Sequence, residues 1–321
     1  MIQVENLKKI FGPKIAVDGV SFAVKKGEVL GFLGPNGAGK STTMRMITGF
    51  IAPSEGSVSI GGFDVTENPR AAKRLFGYLP ENAPAYTDMT VDGFLNFAAE
   101  LRGFRGKAKE TAIKRVAALC FLESVLEQSI ETLSKGYKHR VCFAQAIIHD
   151  PEVLIMDEPT EGLDPNQKHE MRTLIRRMGE TKAIIFSTHI LEEVEAACSR
   201  AIIIDRGKIV ANGTPRELKE RSQTAGTVAL ALADAYGAFD GSVASVRGKI
   251  DNLSRVDKTV IIAESPFTIR VFPKTNAAAD DLAAALGQLV LEQRWPILEL
   301  RREEGRLDEV FRSITLSDRE P

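Results

Sequence analysis

The chain has 321 residues, of which 44% are hydrophobic and 26% charged, and its formal net charge is −1 at pH 7. Because nucleic-acid-binding proteins need a basic excess, this balance argues against a nucleic-acid partner. No apolar run approaches the roughly 18 residues that span a bilayer, and the first residues lack a signal-peptide pattern, so we expect a cytoplasmic protein without its own membrane span. The cysteines Cys120, Cys142 and Cys198 form no C-x-x-C pair, so we expect neither disulfides nor a zinc site.

Residues 1–221 are predicted to form one α/β domain. Short continuous apolar runs, typical of parallel strands that are buried on both faces, occur at 29–33, 153–156, 183–186 and 201–204. A helix is predicted after Pro165, with Asp164 as its N-cap. Its apolar face recurs at helical spacing and consists of Met171, Leu174, Ile175 and Met178. Arg206 and Gly207 are predicted to close a β-hairpin.

Two further regions differ from this pattern. Residues from about 84 to 150 show no obvious strand and predict a helical insert within the α/β domain. The composition changes near 222–226, which predicts a linker, and residues 222–321 then predict a small α+β domain. Its expected strands lie at 228–232, 259–263, 268–272 and 297–300, and its expected helices lie at 277–290 and around 307–314.

The most specific motif follows the first apolar run. Residues 34–41 match G-x-x-x-x-G-K-[ST], a glycine-rich loop whose backbone amides cradle phosphates at a helix N-terminus. We expect Lys40 to place its charge on the β- and γ-phosphates of a nucleotide and Ser41 to offer its hydroxyl to Mg²⁺. The predicted phosphate-binding residues are Gly34, Pro35, Asn36, Gly37, Ala38, Gly39, Lys40, Ser41 and Thr42.

Reactive side chains end two of the later apolar runs. Asp157 and Glu158 follow the run at 153–156, and His189 follows the run at 183–186. Because the carboxyl ends of parallel strands meet at one edge of a sheet, we expect these side chains near the phosphate loop. Asp157 is expected to hold Mg²⁺ through water, and Glu158 to polarise the attacking water as general base. His189 is expected to hydrogen-bond the γ-phosphate.

A further candidate anion site lies before a helix predicted at 141–148. Ser134 can cap this helix, and in the functional interpretation the helix N-terminus, Ser134 and the Gly136 amide face an anion. A purely structural N-cap accounts for the same local pattern, and the local sequence leaves both interpretations open.

Taken together, these motifs resemble the nucleotide-binding domains of ABC transporters. The phosphate loop, the acidic pair, the segment Glu161-Gly162-Leu163-Asp164 and His189 occur in that family's order. Residues 133–137 are similar to the family's LSGGQ signature. The resemblance covers about residues 1–220 and implies an ATPase with ATP and Mg²⁺ as cofactors. It implies an α/β P-loop NTPase fold with a helical insert, followed here by a small C-terminal α+β accessory domain.

The resemblance also implies roles that local patterns do not assign. Phe11 would stack on adenine, and Glu81 stands where the family places a Mg²⁺-ligating glutamine. Two copies would pair head to tail, so that Ser134 and Gly136 of one copy meet the ATP held by the other, with Asp164 in the adjoining loop. A homodimer is the simpler expectation, and a related heterodimer stays open.

The implied partners are transmembrane permease subunits, contacted through the segment 81–89. This would place the protein peripherally on the inner face of the cell membrane. The finer resemblance is to ABC ATPases of the two-component export type, closest to the gliding-motility-associated subunit. It is carried by residues 78–82, 160–167 and 187–194, and residues 307–311 resemble the accessory domain of such exporters.

Some features depart from the family pattern or leave alternatives open. Glu81 replaces glutamine, and Lys135 and Tyr137 replace glycine and glutamine in the signature. We therefore expect ATPase activity, but these motifs do not predict its rate. A soluble ABC ATPase acting on ribosomes or DNA is the main alternative, and a small-molecule kinase is a weaker one. The accessory domain is interpreted as a dimer brace, a regulatory module or a permease contact, and the cargo is not predicted.

Overall fold

The structure, a computed structural model, describes residues 1–82, 84–233, 243–274 and 279–316. It divides into two compact units, Met1–Pro215 and Arg216–Pro321, which are described in turn. Within these described ranges, no helix combines the length and the apolar character that crossing a membrane requires.

The first unit contains two sheets and the helices that pack on them. Its strands are β1 (Ile2–Phe11), β2 (Lys14–Val24), β3 (Glu28–Leu33), β4 (Glu55–Ile60), β5 (Phe63–Asp64), β6 (Phe76–Leu79), β7 (Val153–Asp157), β8 (Ala183–Thr188), β9 (Arg200–Asp205) and β10 (Lys208–Gly213). Its helices are α1 (Lys40–Ile47), α2 (Pro69–Leu75), α3 (Val91–Leu101), α4 (Gly106–Leu119), α5 (Lys135–Ile147), α6 (Pro165–Gly179) and α7 (Leu191–Ala197). A short helix, α8 (Pro215–Lys219), spans the boundary between the units in sequence.

The larger sheet positions the candidate site. Its strand order is β10-β9-β3-β8-β7-β6. Strand β3 pairs in parallel with β8 and β9, and β7 pairs in parallel with β6 and β8. The four apolar runs of the sequence form β3, β7, β8 and β9, which confirms their prediction as buried parallel strands. The carboxyl ends of β3, β8 and β7 therefore lie along one edge, with β8 between the other two.

A hairpin and a helix confirm two local predictions. Strand β10 pairs antiparallel with β9, with Lys208 opposite Asp205 across the turn at Arg206 and Gly207. Helix α6 begins at Pro165 with Asp164 as its N-cap. Both follow from residues whose backbone preferences act locally.

A second, antiparallel sheet has no counterpart in the sequence-based predictions. Its strand order is β2-β1-β4-β5. Strand β1 alternates imperfectly between buried and exposed residues, and its register with β2 shifts at several points. The β1–β2 turn follows Phe11, which lies opposite Lys14.

Between β6 and β7 the chain is helical. Helices α3, α4 and α5 share one apolar cluster, in which Phe94, Leu95, Val116 and Phe143 are nearly inaccessible to solvent. Helix α5 begins at Lys135, earlier than the position 141 predicted from its apolar residues. The polar first turn of α5 is helical because Ser134 caps it.

The second unit is an α+β fold. Its strands are β11 (Val228–Leu232), β12 (Val256–Glu264), β13 (Phe267–Pro273) and β14 (Ile297–Arg302), in the antiparallel order β12-β13-β11-β14. Its helices are α9 (Val243–Asp251), α10 (Ala279–Glu292) and α11 (Leu307–Leu316). Helix α9 was not predicted, and the predicted start of α10 at 277 lies outside the described residues. The core of this unit includes Leu230, Phe267, Ile269 and Leu286.

The predicted linker at 222–226 is wrong, because this segment is folded into the second unit. Ser222 and Thr224 are buried, and both donate hydrogen bonds to the carboxylate of Glu309 on α11, the second at 2.7 Å. A solvated linker would leave these hydroxyls exposed. The division into a nucleotide-binding domain at 1–221 and an accessory domain at 222–321 stays a prediction.

Candidate functional site

The predicted phosphate loop connects β3 to α1, and its glycines are required by the backbone. Gly39 has a φ of 107°, and a Cβ added there would lie 2.6 Å from the carbonyl oxygen of Ala16. A Cβ on Gly34 would lie 2.4 Å from the carbonyl oxygen of Ile204. Gly37 has a φ of 82°, a conformation that residues with a side chain rarely adopt. The glycines at 34 and 39 therefore let the loop pack closely against the carbonyl oxygens of Ile204 and Ala16 at the N-terminus of α1.

Lys40 folds back over this loop. Its side chain is buried, and Nζ donates to the carbonyl oxygens of Gly34 at 2.8 Å and Pro35 at 3.3 Å. The rest of the loop and the first turn of α1 place Asn36 at an exposed tip, Ala38 in the interior, and Ser41 and Thr42 half-buried.

The end of β7 brings Asp157 to the first turn of α1. Oδ1 of Asp157 accepts a hydrogen bond from Ser41 Oγ at 3.2 Å and another from Ser187 Oγ on β8. Oδ2 is buried and has no hydrogen-bond partner among the described residues. A buried carboxylate oxygen that accepts no hydrogen bond is unfavourable, and a bound cation would stabilise it. A hydroxyl and a carboxylate are the oxygen ligands that Mg²⁺ prefers beside phosphate oxygens, so the residues fit this ion.

The next residue, Glu158, points between two basic side chains. Its Oε1 lies 3.6 Å from Lys40 Nζ, and its Oε2 lies 3.0 Å from Nδ1 of His189. Its backbone is left-handed, with a φ of 50°, and its N–H donates to Ser187 Oγ at 3.1 Å. Burial raises the pKa of the Glu158 carboxyl above its ordinary value, although His189 and Lys40 favour the ionised form. The carboxylate is therefore a stronger base than an exposed one.

His189 follows β8 at the predicted edge of the sheet. Its side chain is half exposed, and the ring nitrogen Nδ1 contacts Glu158 rather than a backbone group. The rest of the imidazole is therefore accessible to a ligand. The structure brings Lys40, Ser41, Asp157, Glu158 and His189 together at one site, as the sheet edge predicted.

The N-termini of α5 and α6 lie side by side. Ser134 Oγ accepts from the N–H of Tyr137 at 3.3 Å, and Asp164 Oδ1 accepts from the N–H of Gln167 at 2.9 Å. A Cβ added to Gly136 would lie 2.3 Å from Oε1 of Gln167, so the two helices approach closely. Ser134 and Asp164 are both exposed.

The remaining predicted site residues make no described contact with this cluster. Phe11 is 48% exposed, and Lys9 Nζ lies 5.1 Å from its ring centroid. Glu81 is exposed in the segment after β6. Among the described contacts, none joins Phe11, Glu81 or Ser134 to Ser41 or Asp157. Tyr78 of β6 does lie near Asp157, and burial, aided by this carboxylate, raises the pKa of its hydroxyl to about 12.

Several residues around the cluster were not singled out from the sequence. Ser187 bridges Asp157 and the Glu158 N–H, and Thr188 and Thr160 donate to Glu193. Hydroxyl residues at the end of a predicted buried strand were the available signal for Ser187 and Thr188. No local pattern distinguishes Glu193 from its acidic neighbours on α7.

Comparison with known proteins agrees with this geometry. A family model described as "ABC transporter" matches residues 17–161. The linearmycin resistance ATP-binding protein LnrL of Bacillus subtilis is 40% identical over 223 residues, which cover 69% of this chain and 71% of that protein. The chain belongs to the family of ABC transporter ATP-binding subunits. Its resemblance to that family is confirmed, and the subunit is an ATPase that binds ATP and hydrolyses it to power transport.

Two further relatives support the same assignment for this ABC subunit. The Nod factor export ATP-binding protein I of Burkholderia lata is 37% identical over 220 residues, covering 68% of this chain and 72% of that protein. A solved structure of an ATP-binding subunit of an ABC transporter superposes with a TM-score of 0.64 at 31% identity, over 69% of this chain and 92% of that chain. The P-loop fold with its helical insert is confirmed. These relatives favour a transporter subunit over an ATPase that acts on ribosomes or DNA.

Proposed function

We propose that this subunit drives export through separate transmembrane permeases, by the closing and opening of two copies around ATP. The observation that carries the proposal is the cluster in which Glu158 lies between Lys40 and His189 beside the phosphate loop. Two relatives, one named for Nod factor export and one for linearmycin resistance, support the outward direction of transport.

ATP is held by the first unit through three kinds of contact. The amides of residues 34–42 face the phosphates, with Lys40 exchanging its carbonyl partners for the β- and γ-phosphates. Phe11, exposed at the β1–β2 turn, stacks on adenine. Lys40 and Glu158 balance each other's charge beside the loop. The triphosphate adds negative charge and competes with Glu158 for Lys40.

Mg²⁺ is proposed to be held by Ser41, by Asp157 through water, and by Glu81. The unpartnered Oδ2 of Asp157 supports this assignment, as does its contact with Ser41. The ion would neutralise charge on the phosphate oxygens. Glu81 supplies a carboxylate where the family has an amide, so it accepts but cannot donate a hydrogen bond when ionised.

Glu158 is proposed as the general base and His189 as the residue that orients the γ-phosphate. The raised pKa of Glu158 fits a base, because proton affinity rises with pKa. The ring of His189 reaches Glu158 through Nδ1, and about half of the side chain is exposed and open to a phosphate. Lys40 completes the catalytic set by stabilising charge on the transferred group.

Two copies are proposed to pair head to tail, most simply as a homodimer. Ser134 is exposed at the N-terminus of α5 and caps it, so the helix can present Ser134 to the triphosphate of a second copy. The Gly136 amide is proposed to face the same triphosphate, although Gly136 is buried against Gln167 in the single chain. Asp164 holds the adjoining loop in shape. Lys135, which replaces glycine here, pairs with Glu161 at 3.5 Å within the chain. ATP favours closure only through its higher affinity for the closed pair.

A groove beside Glu81 is proposed to receive a cytoplasmic segment of the permease. It has a volume of about 640 Å³ and is lined mainly by aromatic and aliphatic side chains, including Tyr78, Tyr86, Phe97 and Leu101. Leu101 is 71% exposed and Tyr86 is 55% exposed, so the groove presents a contiguous apolar surface of the kind that marks interaction sites. This contact would hold the subunit at the inner face of the membrane.

We propose the two-component export type for the transporter, closest to the gliding-motility-associated subunit. The motif sequences at 78–82, 160–167 and 187–194 support it. The second unit, taken as an accessory domain from residue 222 onward, is proposed to brace the dimer or contact the permease.

The test is ATP-dependent pairing of the E158Q variant, followed by light scattering. Two copies should associate with ATP and Mg²⁺, and S134A in the same background should weaken the association. A monomer at saturating ATP would count against the composite site. Co-purification of the wild-type protein with a polytopic membrane protein tests the permease partner, and recovery with ribosomes or DNA instead would contradict it.

A further inference from the structure

A buried carboxylate lies behind the Glu158–His189 pair. Glu193, on α7, is 1% exposed. Its Oε1 accepts a hydrogen bond from the hydroxyl of Thr160, and its Oε2 accepts one from the hydroxyl of Thr188 at 2.6 Å. Both threonines are buried as well. Within the described part of the chain, these two hydroxyls are the hydrogen-bond partners shown for the carboxylate, so its surroundings are neutral donors rather than a cation.

The two threonines flank the two reactive residues. Thr160 lies in the turn directly after Glu158, and Thr188 immediately precedes His189. The hydroxyl of Thr188 also accepts from the N–H of Ile190 at 3.0 Å, which fixes the chain on the far side of His189. One carboxylate thus joins the segment that carries Glu158 to the segment that carries His189.

We infer that Glu193 is a positioning residue for ATP hydrolysis, which sets the placement of Glu158 relative to His189. This inference rests on the proposed roles of those two residues. Glu193 itself touches neither of them in the described contacts and acts through Thr160 and Thr188. Without its carboxylate, two buried hydroxyls lose their acceptor, and the two segments relax to find others.

The expected effect is large on turnover and small on nucleotide binding. A displacement of about 1 Å between reacting groups costs on the order of 100-fold in rate. The phosphate loop between β3 and α1 is the proposed ATP grip, and no described contact joins Glu193 to this loop. A residue with a purely structural role would lower the melting temperature without separating kcat from KM.

The experiment compares E193A with E193Q in the full chain. E193A is expected to lower kcat by about 10- to 100-fold, with KM for ATP changed by less than about threefold. E193Q is expected to restore most of the activity. Its amide oxygen accepts from one threonine, and its NH₂ group donates to the other, because a hydroxyl is also an acceptor. E192A, at the exposed neighbouring position, is the matched control and should leave kcat and KM unchanged.

The isosteric variants T160V and T188V supply a second route to the same answer. Each should lower kcat, and neither should lower it further when added to E193A, because that background has already lost both contacts. If E193A does not fold, these two variants decide. Wild-type kcat in both, or equal losses in E193A and E193Q, would overturn the inference.

Parallel measurement of E158Q separates this inference from the proposed function. Wild-type turnover by E158Q would refute Glu158 as the base, independently of the result for Glu193. Slow turnover by E158Q together with wild-type turnover by E193A leaves the base in place and removes only the positioning role.

Discussion

Nζ of Lys40 lies 3.6 Å from Oε1 of Glu158 and donates at 2.8 Å to the carbonyl oxygen of Gly34. The positive charge of the phosphate loop is therefore held by the carboxylate proposed to activate water. In the proposed site, ATP would draw Lys40 toward its phosphates, and this would free the side of Glu158 that faces the loop. The proposal therefore links nucleotide binding to release of the base through one side chain.

Replacing Glu158 by glutamine should preserve ATP binding and slow hydrolysis by about 100- to 10,000-fold, because the amide cannot take up a proton. The measurement is steady-state phosphate release beside fluorescent-nucleotide binding. E152Q, an exposed position at the opposite end of β7, is the matched control and should behave as wild type. Wild-type phosphate release by E158Q would assign the base elsewhere.

The acidic limb of the pH–rate profile should report Glu158. Burial raises the pKa of this carboxyl above 4.5, so kcat/KM should fall as the pH drops through that raised value and the base becomes protonated. Since His189 lowers the pKa of Glu158, H189Q should move the limb to higher pH, in addition to reducing the rate. A limb at unchanged pH in H189Q would contradict the Glu158–His189 contact.

The phosphate loop and the parallel strands were predictable because their signals are local. Continuous apolar runs define β3, β7, β8 and β9, and the glycine motif needs no distant residue to be recognised. The antiparallel sheet was not predicted, because register shifts interrupt the alternation along β1. Glu193 was not predicted because its burial depends on Thr160 and Thr188 arriving from two other segments. The predicted linker at 222–226 is wrong because Glu309, far along the chain, accepts hydrogen bonds from the hydroxyls of this segment.

Replacing Gly39 by alanine should destabilise the protein and weaken nucleotide binding. The added Cβ would meet the carbonyl oxygen of Ala16 at 2.6 Å, in a backbone of φ 107° that alanine disfavours. Gly12 has a φ of 55° with nothing within 4 Å of an added Cβ, so G12A carries only the conformational cost of about 1 kcal/mol. Urea unfolding of both variants should show the larger loss in G39A, by about 1–3 kcal/mol. Equal losses would show that the loop tolerates the contact.

Protonation of His139 should weaken the fold in mild acid. The ring, on α5, is buried with both nitrogens unpartnered among the described residues, and burial lowers its pKa from 6.5 to about 4. In the unfolded chain His139 is protonated below about pH 6.5, whereas in the folded chain it is protonated only below about pH 4. The free energy of unfolding should fall over this window, by up to roughly 3 kcal/mol from this residue.

The variant H139Q tests this by the slope of stability against pH. Denaturant unfolding at several pH values should show a shallower dependence than in wild type, whatever the absolute stability of the variant. H169Q, at an exposed position on α6, should keep the wild-type slope. An unchanged slope in H139Q would mean that the ring is hydrated or partnered in solution.

At Glu158, a left-handed backbone makes the stability of the fold and the rate of ATP hydrolysis compete with each other. Glycine and asparagine adopt a φ of 50° more readily than glutamate, whose placement there costs on the order of 1 kcal/mol. A search for heat-resistant variants would therefore favour losing the carboxylate at this position. The chain keeps glutamate at a position where the backbone conformation disfavours it. Optimising the sequence for stability alone would therefore give a more stable protein that lacks the proposed base.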